Sequence, residues 1–352
     1  MDTIQIDRSR INRILVLKPR AIGDVLLSTP ILPNLRTEFP KATIDFFVEK
    51  FAAPVVEGNP FIDSVISIDT AEASPVSTIG RIRKTGYDLV IDLFSNPRTA
   101  IITMFSGAPY RVGFPFKWRK YAYNIIVIPR SGEVHNVEFN LDALRRIGIP
   151  IRTTQPTFIL DNASREFADN FIKTEGLSRD GFLTINIGGG WQTKRWPIEK
   201  FIDLCHQIEK NLGLPIVVLF GPSERDEALK IGRSSKAISA PQTSLHQMGA
   251  IMKLSRLLIT NDSGPMHIAA ALMVPTLAIF GPTNPKLQGP YGNVSDIVRN
   301  ESLDCLQCNL TKCPINNLCM NDLQPDTVFR HLLELIQKIQ QQTKRIDEKA
   351  RD

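Results

Sequence analysis

Cysteine is scarce in this chain, five residues in 352, and no apolar run reaches the length a bilayer demands. A spanning helix needs roughly 18–20 consecutive apolar residues, so a transmembrane segment is excluded. The first ten residues, Met1 to Arg10, are polar and charged, with neither an apolar stretch nor a small-residue cleavage site. No secretory signal is read there, and a cytoplasmic location is expected, with the inner face of the cytoplasmic membrane open as a peripheral site. Thiols stay reduced in such a compartment, which argues against a disulfide framework. Low-complexity segments and short repeats are absent. Neither sign of charge dominates: 42 basic against 36 acidic residues leave a net charge of +6. That excess is compatible with an anionic substrate, a lipid surface or an ordinary solvated exterior. The basic residues are dispersed and no nucleic-acid-binding module is present, so no nucleic-acid partner is expected.

What is present is a globular composition, 43% hydrophobic and 22% charged, in a chain long enough for two domains. Short β-branched runs alternate with helical stretches, the signature of parallel sheets built from βαβ units. Strands are read at Ile14–Leu17, Thr43–Val48, Val65–Ile68, Tyr87–Leu93 and Ile125–Ile128, then at Phe182–Ile187, Ile216–Phe220, Leu257–Thr260 and Thr276–Phe280. Pro30 and Pro33 delay or kink the helix after the first strand. Two cycles in series predict an α/β protein of two doubly wound, Rossmann-like domains facing a cleft: an acceptor domain over 1–160 and a nucleotide-sugar domain over 161–324. A final helix and charged tail occupy 325–352, with the tail beyond Gln340 expected to fray and the helix a candidate to pack back on the first domain.

Ligands in such sheets bind beyond the carboxyl ends of the strands, and five loops there carry unusual residues. Lys18 to Asp24 follows the first strand: Gly23 permits close backbone approach, and Asp24 reads either as a helix cap or as a general base. Gly188, Gly189 and Gly190 open a loop that ends in Lys194 and Arg195, cations suited to a diphosphate leaving group. The loop is not a Walker motif, because the Gly-Lys-Ser/Thr ending is missing. Asp262, Ser263, Gly264, Pro265, Met266 and His267 open a helix after a strand, where backbone N–H groups attract phosphate. His267 taken alone reads as a structural histidine. Glu224, after Phe220-Gly221-Pro222, is placed to accept from ribose hydroxyls, and Phe280-Gly281-Pro282-Thr283 repeats the strand-Gly-Pro ending.

Taken together, Ile22-Gly-Asp-Val-Leu-Leu-Ser-Thr-Pro30, Gly107–Gly113, Lys194-Arg-Trp-Pro197, Asn261–Ala270 and Phe280–Thr283 resemble, in order, glycosyltransferase family 9, the ADP-heptose:lipopolysaccharide heptosyltransferases. The resemblance implies the GT-B architecture, with acceptor on the first domain and nucleotide sugar on the second. It implies inversion at the anomeric carbon with no obligatory metal. By the same resemblance Asp24 is the base that deprotonates the acceptor hydroxyl, and Lys194 contacts phosphate. Glu224 binds ribose, and Asp262 to His267 hold the diphosphate and donor sugar. The implied activity is transfer of heptose from ADP-heptose to a Kdo- or heptose-bearing lipid A acceptor. Another nucleotide-sugar transferase, an epimerase on the same fold, or an inactive nucleotide-binding homologue are the alternatives.

Lys18, Arg20, Gly23, Arg98 and Arg111 are candidates for contact with the lipid-linked acceptor. Lys117, Arg119 and Lys120 interleave with Phe114, Phe116 and Trp118, as in a segment lying on an anionic membrane, or simply as a solvated basic loop. Four cysteines crowd into Cys305-x2-Cys308-x4-Cys313-x5-Cys319. Structural zinc or an iron–sulfur cluster, reduced structural thiols, and a disulfide or redox role all remain open for them.

Overall fold

A computed structural model of the protein describes residues 3–69, 74–130, 132 and 134–349. The chain divides into two compact units, Met1–Ile159 and Leu160–Asp352, each built on its own parallel sheet.

In the first unit the strands are β1 (Arg13–Leu17), β2 (Thr43–Glu49), β3 (Ser64–Ile68), β4 (Leu89–Asp92), β5 (Tyr110–Gly113) and β6 (Ile125–Ile126). Their order is β3-β2-β1-β4-β5-β6, parallel throughout. Helices α1 (Ile22–Leu26), α2 (Ile31–Glu38), α3 (Pro75–Thr85) and α4 (Pro97–Phe105) lie in the crossovers, and α5 (Asn136–Arg146) follows the last strand. Ile14, Leu15, Val16 and Leu17 are fully buried, as a central strand covered on both faces must be. The prolines break the first crossover as expected. Pro30 is the N-cap of α2, and Pro33 falls in its first turn, where a missing N–H costs no helical bond.

The second unit repeats the plan. Strands β7 (Leu183–Asn186), β8 (Ile216–Leu219), β9 (Ile238–Ser239), β10 (Leu258–Asn261), β11 (Thr276–Ile279) and β12 (Ser295–Val298) stand in the order β12-β11-β10-β7-β8-β9. Helices α6 (Asn162–Thr174), α7 (Ile198–Leu212), α8 (Arg225–Ser234), α9 (Leu245–Leu254), α10 (Gly264–Ala271), α11 (Pro285–Gln288), α12 (Leu318–Asn321) and α13 (Pro325–Lys349) complete it. Counted within each unit, both sheets have the order 3-2-1-4-5-6, which reverses direction beside the first strand. The loops leaving β1 and β4, and likewise β7 and β10, therefore diverge and leave a crevice at the sheet's carboxyl edge.

Helix α13 rests on α7, β11 and β12 and so belongs to the second unit. Val328, Leu332 and Leu335 are fully buried in one cluster with Phe201 and Leu204 of α7, each contributing roughly 1.5–3 kcal/mol. The expectation that the chain frays past Gln340 is corrected: α13 runs on to Lys349. Lysine, arginine, glutamate and glutamine are good helix formers, and no Gly or Pro interrupts them. Strands β5, β9 and β12 were not legible in the sequence because none is a continuous apolar run: Tyr110-Arg-Val-Gly, Ile238-Ser and Ser295-Asp-Ile-Val carry polar residues and are only partly buried.

Candidate active site

At the carboxyl end of β1, Lys18 turns inward. It is buried, and its Nζ donates to the Leu93 carbonyl (3.1 Å) and to Asn140 Oδ1 (3.4 Å). Burial pushes its pKa below the ordinary lysine value, while the charges of Asp24 and Asp92 pull it back up. Asp92, the last residue of β4, is buried too. It accepts from the N–H groups of Phe94 (3.0 Å) and Ser95 (2.7 Å) and from the Tyr123 hydroxyl (2.8 Å). Burial raises its pKa against the pull of these donors. A buried ammonium thus stands in the field of two carboxylates at the switch point of this sheet.

Asp24, the third residue of α1, is half-buried, and its Oδ2 accepts weakly from the Ala21 N–H at 3.3 Å. It is not itself the N-cap, a position held by Ala21. One carboxylate oxygen therefore steadies the helix start while the other carries none of the described hydrogen bonds. Gly23 sits inside α1 with helical angles, so close approach rather than positive φ is what glycine offers there. Arg20 is exposed beside Glu49 (3.9 Å), and Arg98 lies half-buried in the first turn of α4 at the end of β4. Arg111 is committed to the fold: its guanidinium donates to the carbonyls of Ala108 (2.7 Å) and Ala122 (3.1 Å).

The second unit gathers its polar residues more tightly. Asn261, the last residue of β10, holds the Gly188–Pro197 loop from both ends. Its Nδ2 donates to the carbonyls of Ile187 (2.9 Å) and Gly188 (3.3 Å), and its Oδ1 accepts from the Trp196 N–H (3.1 Å). Trp196 is buried and donates its ring N–H to Leu323 (3.0 Å). So anchored, the loop presents Lys194, whose Nζ pairs with Asp262 Oδ2 at 2.7 Å and stands 4.6 Å over the Trp191 ring. The same carboxylate oxygen accepts from Thr283 Oγ1 at 2.5 Å. Asp262 is 4% exposed and Lys194 13%, so the pair is largely withdrawn from water.

Beside it is a second pair. Arg195 donates to Glu224 Oε1 at 2.6 Å and to the Gly189 carbonyl at 3.0 Å. Glu224 also accepts from the Gly221 N–H (3.0 Å) and the Ser223 hydroxyl (2.5 Å). A Cβ on Gly221 would lie 2.7 Å from Glu224 Oε2, so only glycine lets the carboxylate fold back over this turn. Its oxygen also lies 3.6 Å from where a Cβ of Gly188 would be, which places Glu224 against the glycine loop.

Helix α10 opens from the same edge. Ser263 is its N-cap, and its hydroxyl is turned to Asn186 (3.3 Å) and Thr260 (3.3 Å) rather than over the helix end. The leading N–H groups and the positive end of the helix dipole thus lie beside Lys194 and Asp262. Pro265 occupies the first turn. Met266 does not present its side chain here: it is fully buried against Ala278 and Phe280. His267 is 6% exposed, a largely interior histidine.

Against this geometry, residues 76–319 match the profile of glycosyltransferase family 9 (heptosyltransferase). The chain belongs to that family. It is similar to lipopolysaccharide heptosyltransferase 3 of Escherichia coli, 27% identical over 77% of this chain and 84% of the relative. Among solved structures it is similar to a family 9 glycosyl transferase of Veillonella parvula, with a TM-score of 0.81 and 25% identity over 93% of this chain and 97% of that one. An E. coli heptosyltransferase solved with ADP gives a TM-score of 0.70 at 20% identity, over 92% and 99% of the two chains. The protein is a family 9 glycosyltransferase with the GT-B fold. The matched span takes in Lys194, Glu224, the Asp262–His267 motif and all four clustered cysteines.

Several residues of this polar cluster carry little signal in the sequence. Arg195 was noted as a cation but not as the partner of Glu224, and Thr283 only as part of a repeated strand ending. Asn261 and Ser223 stood only as members of their strand-end motifs, and Asn186 only inside a strand. The adjacency of Arg195 to Lys194 and the placement of Thr283 after β11 were available signals. Asn186 carried none, because its amide reaches Thr260 and Ser263, 74 and 77 residues away.

Proposed function

We propose that this enzyme transfers heptose from ADP-heptose to an inner-core lipopolysaccharide acceptor, with inversion at the anomeric carbon. The observation that carries the reading is the Lys194–Asp262–Thr283 cluster beside the start of α10, with Glu224 on the neighbouring strand end. A nucleoside diphosphate set there has an ammonium and a row of backbone N–H groups for its phosphates and a carboxylate for its ribose hydroxyls. The ADP-bound relative supports the choice of nucleotide.

In the reaction the acceptor hydroxyl attacks C1 of the heptose from the face opposite the diphosphate. A C–O bond forms, the C1–O bond to phosphate breaks, and ADP leaves with the electron pair. Asp24 takes the hydroxyl proton, which its geometry permits because one carboxylate oxygen is engaged only weakly. Lys18, buried behind it, places a positive charge near this carboxylate. Negative charge growing on the diphosphate is met by Lys194 and the helix terminus.

The acceptor reading has its own support in the first unit. Ile101, Met104, Phe105, Phe116, Trp118, Tyr121 and Ile128 are all exposed large hydrophobics, and α4 packs beside the turn over Lys117–Ala122. Arg119 stands over the Phe116 ring and Lys120 over Tyr121. Phe114, expected with them, is not on this surface: it is fully buried and stacks on Phe139 at 4.2 Å. Aromatic residues interleaved with cations suit the interface of an anionic bilayer, where a lipid-linked acceptor is held.

Purified enzyme given ADP-heptose and a deacylated Kdo-containing acceptor is expected to release ADP only when both are present. No release with a competent acceptor would reject the heptose assignment and direct the assay to other nucleotide sugars.

A further inference from the structure

The four clustered cysteines are unpaired, and among the described residues no three of them approach one another as ligands of one ion do. The group that lacks a partner lies instead at the end of β2. Glu49 closes that strand and is only 9% exposed. Among the described residues its carboxylate accepts no hydrogen bond. Its ion pair with the exposed Arg20 is loose: Nε stands 3.9 Å from Oε1, past hydrogen-bond distance. Glu49 is also the N-cap of the helical turn over Lys50–Val55, yet its side chain makes no capping bond. A carboxylate this far withdrawn from water is ordinarily hydrogen-bonded, because the solvent it gives up has to be replaced.

Glu49 lines a cavity of about 360 Å³ at the carboxyl ends of β2 and β3, together with Lys50, Phe51, Ile68 and Asp69. That volume is within the range of small-molecule sites. Ile68 is buried and gives an apolar wall, whereas Phe51 leaves 52% of its surface uncovered. Asp69 is half-buried, and Lys50 is exposed at the mouth. The cavity adjoins the element that carries the proposed base. Strand β2 pairs with β1, the Glu49 N–H donates to the Pro19 carbonyl at 2.9 Å, and the turn over Lys50–Val55 packs on α1, the helix of Asp24.

We propose that this cavity seats the accepting sugar, with the Glu49 carboxylate taking hydrogen bonds from two of its hydroxyls and the Phe51 ring against its apolar face. A carboxylate offers two acceptor oxygens and no donor, which complements a pair of neighbouring hydroxyls. An exposed aromatic ring covers the C–H face that such hydroxyls leave bare. The bound sugar supplies the hydrogen bonds that the fold withholds from Glu49. Arg20 and Lys50, at the mouth, face the acidic groups that flank this sugar in the acceptor chain. The orientation toward Asp24 rests on the reaction proposed above, whereas sugar binding in the cavity does not depend on which donor is used.

The test titrates full-length protein, without donor, with a deacylated Kdo- and heptose-containing oligosaccharide, followed by calorimetry. Glu49→Gln keeps the shape of the side chain and removes its charge and one acceptor oxygen. Phe51→Ala removes a half-exposed ring, so it reads the cavity independently of any disturbance to β2. Each variant is expected to weaken oligosaccharide binding about tenfold and to bind ADP as wild type does. In turnover the acceptor KM should rise about tenfold with kcat little changed, the mark of lost substrate binding. Wild-type protein that does not bind the oligosaccharide, or variants that bind it as wild type does, overturns the subsite. Wild-type binding that both variants weaken, without ADP release from ADP-heptose, sinks the heptose reading and leaves the subsite standing.

Discussion

Removing the Lys194 ammonium should cost stability and nucleotide affinity for separable reasons. In Lys194→Met, Asp262 keeps only the Thr283 hydroxyl as a side-chain partner, yet its carboxylate is 4% exposed. Breaking one side of such a withdrawn pair costs about 3–5 kcal/mol, chiefly from the uncompensated buried charge. At 2–4 °C per kcal/mol for a unit of this size, unfolding of the second unit should fall by roughly 6–20 °C. Adding Asp262→Asn removes the stranded charge and leaves an amide oxygen for Thr283, so the double variant should regain most of that loss. ADP binding should stay weak in both, because neither has a cation for the diphosphate. Scanning calorimetry and isothermal titration of the two variants read the two effects apart. A single variant as stable as wild type would refute the buried pair, and ADP binding restored in the double would refute the phosphate role of Lys194.

Gly221→Ala should drive the Glu224 carboxylate off its turn, costing about 1–3 kcal/mol of stability by thermal melt and weakening ADP about tenfold by calorimetry. Lys18 has a folded-state pKa below its unfolded 10.5, so between those values the unfolded chain binds more protons and stability rises with pH. Melts from neutral pH to about 10 should show that rise in wild type and lose it in Lys18→Met; equal slopes would contradict the burial of the ammonium. Charge reversal at Lys117 and Lys120 should cut co-sedimentation with anionic vesicles at least tenfold, each cation being worth about 1 kcal/mol at the surface. Unchanged co-sedimentation would remove the membrane reading of that patch.

The doubly wound plan was legible because wholly buried strands such as β1 and β8 read as continuous apolar runs, and helix α9 opens on a capping box at Ser244. Strands β5 and β12 were not, since polar residues interrupt them and they are only partly buried. Of the site, Lys194, Glu224 and Asp262 were visible as polar residues out of place at strand ends. The pairing of Arg195 with Glu224 and of Lys194 with Asp262 was not, since each joins residues 29 or more apart whose meeting depends on strand order. Within the Asp262–His267 motif the sequence did not show which side chains face the loop edge: the register of Met266 on α10 points it into the core.

The measurement nearest the central claim compares wild type with Asp24→Ala for both turnover and donor affinity. The proposed division of labour predicts that kcat for acceptor-dependent ADP release falls about 10²–10⁴-fold while the ADP-heptose Kd is unchanged. Turnover preserved without Asp24, in a variant that still binds donor, would contradict it.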